Sequence, residues 1–269
     1  MSGKGSLPCV LTVAGSDSGG GAGIQADVRT LSAFGVHPAT AVAALTAQNS
    51  RGVADSRAVE KGLVVAQIRV VAADFPVRAV KTGMLVRASL VNAVAGAIAQ
   101  AAIPNLVVDP VIASKSGATL LSRQGIHALI RRLLPLATVV TPNLPEAEIL
   151  VGRKLHGDVA IREAALEIQS WGPSCVVIKG GHLEGPPTDL FFDGSNFILF
   201  QGDRIGTRSD HGTGCTFSAA IAALLARGME PGPAVGAAKA YVNAALRNSP
   251  SLGKGRGPLH HFYFLDRWV

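Results

Sequence analysis

Val77-Arg78-Ala79-Val80, the Ala-rich segment 89–101 and Leu106-Val107-Val108-Asp109-Pro110-Val111 form the stretch that decides the fold. The two flanking runs are short, rich in β-branched residues and unbroken by polar alternation, which suits strands covered on both faces of a parallel sheet. The segment between them has the length and composition of a helix. The same alternation extends outward. Further apolar runs lie at 10–13, 139–140 and 175–178, and helical candidates at 24–34, 63–73, 122–134, 159–171, 215–227 and 234–247. Repeated strand and helix predict an α/β fold, a three-layer αβα sandwich around a central, mostly parallel sheet. Residues 188–192 and 196–200, joined at Asp193-Gly194, read as a hairpin that adds antiparallel strands at one edge. There is no internal repeat, low-complexity tract or long linker, so one domain over 1–269 is expected, with 1–6 as a polar lead.

Composition narrows the function classes. Hydrophobic residues make up 48% of the 269-residue chain and charged residues 16%, which excludes disorder. The net charge is +7, but Lys and Arg are scattered, with Arg131-Arg132 and Lys254-Gly255-Arg256 the densest spots. No basic helix or aromatic stacking platform accompanies them, so no nucleic-acid partner is expected, and the charge suits anionic small substrates. No run of about 18 apolar residues suggests a membrane span. Cys9, Cys175 and Cys215 have neither metal-ligand spacing nor a disulfide pattern, which points to a reducing compartment, and the polar lead without a signal-type apolar block adds the expectation of a cytoplasmic protein.

The strongest local signal for chemistry is Asp210-His211-Gly212-Thr213-Gly214-Cys215, running directly into a helix-forming stretch. Glycines at a helix start let consecutive N–H groups share one concavity, where the helix dipole favours an anion. An ordinary Gly-rich helix entry is the competing reading, since Gly-x-Gly alone is weak. The thiol shifts the balance, because a dipole at this place favours a thiolate near neutral pH. A second Gly-rich stretch, Gly15 to Gly23, fits neither the dinucleotide fingerprint nor a P-loop. It suits close backbone approach to a ligand, with Asp27 one turn into the helix offering a carboxylate, or a flexible turn. Gln48 ends the second apolar run, and its amide has the donor and acceptor to read an aminopyrimidine edge, though it equally suits a loop. Asp109, Asn143 and Glu146 follow apolar runs, where ligands of open α/β sheets gather. Two such acids suit Mg2+, directly or through water, while Glu146 also suits a helix cap. Lys179 ends another run and suits a transferring phosphate.

Taken in order, Ala14-Gly15-Ser16-Asp17 through Gly23-Ile24-Gln25-Ala26-Asp27, Thr46 to Val53, Lys81-Thr82-Gly83-Met84-Leu85, Val108-Asp109-Pro110-Val111, Ser114-Lys115-Ser116-Gly117, Thr141 to Glu146, Lys179-Gly180-Gly181-His182, His211 to Cys215 and the tail Gly255 to Phe262 resemble the hydroxymethylpyrimidine/phosphomethylpyrimidine kinases of thiamin biosynthesis, within the ribokinase-like superfamily. The resemblance spans essentially the whole chain. It implies two ATP-dependent phosphorylations, of 4-amino-5-hydroxymethyl-2-methylpyrimidine and of its monophosphate. It places Gly15, Asp27, Gln48, Met84 and Val111 around the pyrimidine, and Asp109 and Glu146 at Mg2+. Lys179, Thr213 and Gly214 would meet ATP phosphates, and Gly212, Thr213 and Gly214 would form an anion hole. Cys215 would stand beside the hydroxymethyl group where many relatives carry an Asp base. The resemblance leaves K+ dependence open and implies a homodimer. Pyridoxal kinase activity and a regulator that binds pyrimidine without turnover are the alternatives. Ser209-Asp210 departs from the Asn-Thr of the family pattern and brings an extra negative charge to the loop. Gly19 to Gly23 are expected to leave room for the phosphorylated substrate.

Overall fold

A computed structural model describes residues 7–113, 119–181 and 186–268. All named strands join one nine-stranded sheet in the order β3-β2-β1-β4-β5-β6-β7-β8-β9. They are β1 (Cys9–Asp17), β2 (His37–Asn49), β3 (Gly52–Ala58), β4 (Val77–Thr82), β5 (Leu106–Val108), β6 (Val139–Val140), β7 (Cys175–Ile178), β8 (Thr188–Phe192) and β9 (Phe197–Gln201). The six adjacent strands β2, β1, β4, β5, β6 and β7 are parallel, and β3, β8 and β9 are joined antiparallel to their neighbours. The expected hairpin is β8–β9, its turn held by the Asp193 carboxylate accepting the N–H groups of Ser195 and Asn196. The strand β3, opposite it, was not among the expected elements.

Two cores make the sandwich. One face of the sheet is covered by α2 (Lys61–Asp74), α3 (Ala88–Ala101), α4 (Arg123–Ala128), α5 (Leu144–Val151) and α6 (Gly157–Ser170). The other is covered by α1 (Gly23–Ala33), α7 (Thr213–Ala226) and α8 (Pro231–Arg247). Every residue of α7 from Thr216 to Ala226 is buried. Such all-round burial requires the Ala-rich, apolar surface this helix has.

The period of two along each strand fixes what reaches the site. In β4, Val80 enters the first core and Ala79 the second, so Lys81 follows Ala79 toward α1 and α7. In β5, Val107 faces α7, and Asp109 continues that face. In β7, Cys175 and Val177 do the same for Lys179. Strand order reverses between β1 and β4, one connection running to β2 and the other to β5. That switch point opens a crevice beyond the carboxyl ends of the strands.

Candidate active site

A cleft of about 700 Å³ occupies this crevice. Its walls include Gly15, Gln48, Met84, Val111, Asp109, Glu146, Lys179, Gly212, Thr213, Gly214 and Cys215. Val111 takes φ +40°, a conformation that is strained for a β-branched residue, directly after Pro110. Gly212 is the N-cap of α7 at φ +87°, and a Cβ there would run into the Gly21 carbonyl oxygen. The start of α7 therefore depends on glycine for both its backbone turn and its fit against the first loop.

Asp27 is not on the cleft wall. It is fully buried in α1 behind it, accepting from Lys81 Nζ at 2.8 and 3.0 Å and from the Thr12 hydroxyl at 2.6 Å. Its expected contact with a substrate ring is thus corrected, because the carboxylate is spent on a buried ammonium. Lys81 itself lines the cleft, and sequence reading gave it no role. Burial is the largest influence and opposes its charge, but Asp27 together with the other acidic groups nearby holds its pKa above the ordinary lysine value.

The glycine loop is also fuller than expected. The Asp17 carboxylate sits in its middle and accepts the N–H groups of Gly19, Gly21 and Ala22 at 2.8, 3.1 and 2.9 Å. His211 Nε2 lies 2.9 Å from Asp17 Oδ2 and 3.0 Å from the Gln48 amide nitrogen. Burial pushes the Asp17 carboxyl up, but the His211 and backbone bonds bring it below the ordinary carboxylate value. The loop N–H groups of Gly19, Gly21 and Ala22 are thus turned onto an internal anion, while Ala22 and Gly23 still line the cleft.

At the other side of the cradle, Lys179 Nζ pairs with Asp109 Oδ1 at 3.2 Å. Burial opposes the Lys179 charge, and Asp109 and Glu146 keep its pKa raised. Glu146 forms a capping box with Asn143: its Oε2 accepts the Asn143 N–H at 2.9 Å, and Asn143 Oδ1 accepts the Glu146 N–H. Its Oε1 faces the Ile112 N–H at 3.4 Å. Burial raises its carboxyl pKa, against the pull of Lys179. The helix-cap reading and a place on the cleft wall therefore hold together. Among the described residues no group of three or more His, Cys, Asp or Glu could hold a metal ion.

Cys215 differs most from expectation. It occupies the first turn of α7, where the dipole favours a thiolate. Its residue surface is partly exposed, but protein surrounds the sulfur, and burial pushes the thiol up to about 11. Lys81 pulls the other way, while Asp27 and Asp109 add to the rise. Desolvation and nearby carboxylates outweigh the dipole, so at neutral pH the group is a thiol and not the expected thiolate. Asp210, the other departure, meets the guanidinium of Arg256, so its charge is paired. Ser114 to Gly117 and His182 lie outside the described residues. The Lys239–Asp189 pair at 2.8 Å, also on the wall, joins residues of α8 and β8 that no local motif connects.

Known proteins share this fold and much of this sequence. The family model described as phosphomethylpyrimidine kinase matches residues 17–260. A hydroxymethylpyrimidine/phosphomethylpyrimidine kinase of Rhizobium meliloti (strain 1021) is 50% identical over 262 residues, covering 96% of this chain and 97% of that protein. Among solved structures, the pyridoxal kinase of Bacillus subtilis in complex with ADP is 36% identical with a TM-score of 0.88, covering 98% of this chain and 100% of that one. The phosphomethylpyrimidine kinase of Clostridium difficile 630 is 39% identical with a TM-score of 0.80, covering 89% and 99%. The sandwich is therefore the ribokinase-like one, and a family match over nearly all of the chain shows that it belongs to the phosphomethylpyrimidine kinases.

Proposed function

We propose that the protein phosphorylates 4-amino-5-hydroxymethyl-2-methylpyrimidine with ATP and then phosphorylates the monophosphate to the diphosphate, in thiamin biosynthesis. The observation that carries this reading is the single cleft that joins Gln48, Met84 and Val111 to the N-terminus of α7 and to Lys179. An aminopyrimidine fits between the first set, with the Gln48 amide at its polar edge. The γ-phosphoryl group fits over the N–H groups of Thr213 and Gly214, with Lys179 at its oxygens.

Phosphoryl transfer passes through a loose transition state, so positioning and charge neutralisation do most of the work. The hydroxymethyl oxygen attacks phosphorus in line, and the bond to the β,γ-bridging oxygen breaks as ADP leaves. Cys215, a thiol with its pKa up to about 11, orients the hydroxyl instead of acting as a standing base. The hydroxyl proton leaves late, onto the transferred phosphoryl group. Asp109 and Glu146 suit Mg2+ held through its waters, because their oxygens are already engaged by Lys179 and by backbone N–H groups. Mg2+ bound with ATP neutralises charge on the phosphates. In this reading the enzyme is a cytoplasmic homodimer, and exposed Leu45, Leu63 and Val70 supply apolar surface for a second copy.

The likeness to pyridoxal kinases of known structure favours a second reading, with pyridoxal as acceptor. ATP consumption by the purified protein, measured with the pyrimidine alcohol, its monophosphate and pyridoxal in K+ or Na+ buffers, separates the readings. The proposal expects turnover of both pyrimidines. Gln48→Ala is expected to reduce kcat/KM for the pyrimidine about tenfold more than for pyridoxal. Faster turnover of pyridoxal, or no acceptor-dependent turnover, would overturn it.

A further inference from the structure

Asp210 stands two residues before Gly212, and its backbone oxygen accepts from the Thr213 hydroxyl at 2.6 Å. Its carboxylate therefore travels with the start of α7. Left alone, that charge opposes any phosphate brought to the helix N-terminus. Arg256 closes on it with two donors, Nε to Oδ1 at 2.6 Å and a terminal nitrogen to Oδ2. Both residues line the cleft.

The backbone that carries Arg256 is itself held. The Arg256 N–H donates to Ser50 O at 2.8 Å, and the Gly255 N–H to Ser50 Oγ at 3.1 Å. The Gly257 N–H donates to Arg208 O at 3.1 Å, and Gly257 O accepts the His211 N–H at 3.0 Å. A Cβ at Gly255 would run into the Ser50 carbonyl oxygen, so the strap admits only glycine there. The guanidinium is thus aimed at Asp210 by a tail clamped between the β2–β3 turn and the loop before α7.

We propose that Arg256 is a positioning residue for nucleotide binding, cancelling the Asp210 charge so that the cradle accepts an anionic polyphosphate. It acts through Asp210 and does not touch the nucleotide. This deepens the reading above and rests on it for nucleotide binding, though not for the identity of the acceptor.

The test is calorimetric titration of the full chain with MgADP, without acceptor, at low salt and at about 0.5 M KCl. Arg256→Gln is expected to weaken binding about tenfold at low salt and less at high salt, because the pair is partly exposed and screened. Asp210→Asn combined with Arg256→Gln is expected to return affinity to within about threefold of wild type. Asp210→Asn alone is expected to bind at least as tightly as wild type. Because the double variant shares any folding defect of Arg256→Gln, checked by melting, its recovered affinity isolates the charge effect. A double variant as weak as the single one, or Arg256→Gln binding like wild type, overturns the proposal. Wild type that binds MgADP yet phosphorylates no pyrimidine overturns the acceptor assignment alone. A wild type that binds no MgADP overturns both.

Discussion

Replacing Lys81 by Met removes the only cation in hydrogen-bond contact with Asp27 among the described residues, at a place where neither side chain is exposed. The carboxylate keeps the Thr12 hydroxyl and loses two short bonds. Breaking a buried pair in this way costs about 3–5 kcal/mol, because the remaining charge is stranded in the interior. With an unfolding entropy of about 2.1 cal/mol/K per residue over 269 residues, a loss of about 4 kcal/mol lowers Tm by about 7 °C. The loss also depends on pH. Burial already pushes the Asp27 carboxyl up, and Lys81 is the largest influence holding it down. In the variant its folded pKa rises further above the unfolded value. A group with a raised folded pKa contributes stability at low pH that is lost as pH rises through it. The gap between Lys81→Met and wild type should therefore be widest near pH 8 and narrow toward pH 5.5. Thermal melts of both proteins across that range, followed by circular dichroism, measure it. Asp27→Leu combined with Lys81→Met should recover at least half of the loss, since it removes the stranded charge. A drop under about 2 °C at pH 8, or a gap that widens on acidification, would refute the reasoning.

Two further outcomes follow from the cradle. At pH 7.5 a thiol with a pKa of about 11 is ionised some hundred-fold or more less than a free cysteine, so iodoacetamide should label Cys215 slowly, with the rate still rising above pH 9.5. Labelling that reaches a plateau below pH 8, read by peptide mass spectrometry, would contradict the burial argument. Gly212→Ala forces a side chain to φ +87° and into the Gly21 carbonyl oxygen. It should cost about 2–4 kcal/mol in urea unfolding and remove measurable MgADP binding.

What the sequence revealed was what neighbouring residues decide. Apolar β-branched runs and Ala-rich spacers marked most strands and helices, because a buried parallel sheet needs both. The strand β3 escaped because Asp55, Ser56 and Arg57 are exposed on an edge and leave no apolar pattern. The expected helix over 122–134 proved to be α4, then a π-helical turn at Leu129–Leu133 and a 3-10 turn at Leu134–Leu136. Pro135 has no N–H with which to continue a regular helix. In the cleft, the residue types at strand ends were readable, but their partners were not. Asp27 looks like a ligand until Lys81 appears 54 positions on, and Asp210 looks unpaired until Arg256 appears 46 positions on. For Cys215, the sequence shows the helix terminus that lowers a thiol pKa and hides the burial that raises it.

The strap from Gly255 to Pro258 also sets a timetable for biogenesis. Strands β1 to β9 and helices α1 to α8 are all encoded before residue 248, so a nascent chain of that length already contains the whole sheet. It still lacks the acceptor for the His211 N–H, the Arg256 guanidinium that meets Asp210 and the two donors to Ser50. The last residues to be synthesised therefore complete the cleft wall and add Leu259 to the second core, while the sheet precedes them. In the reading proposed above, nucleotide stabilises a chain that has passed Gly257 more than one that stops before it.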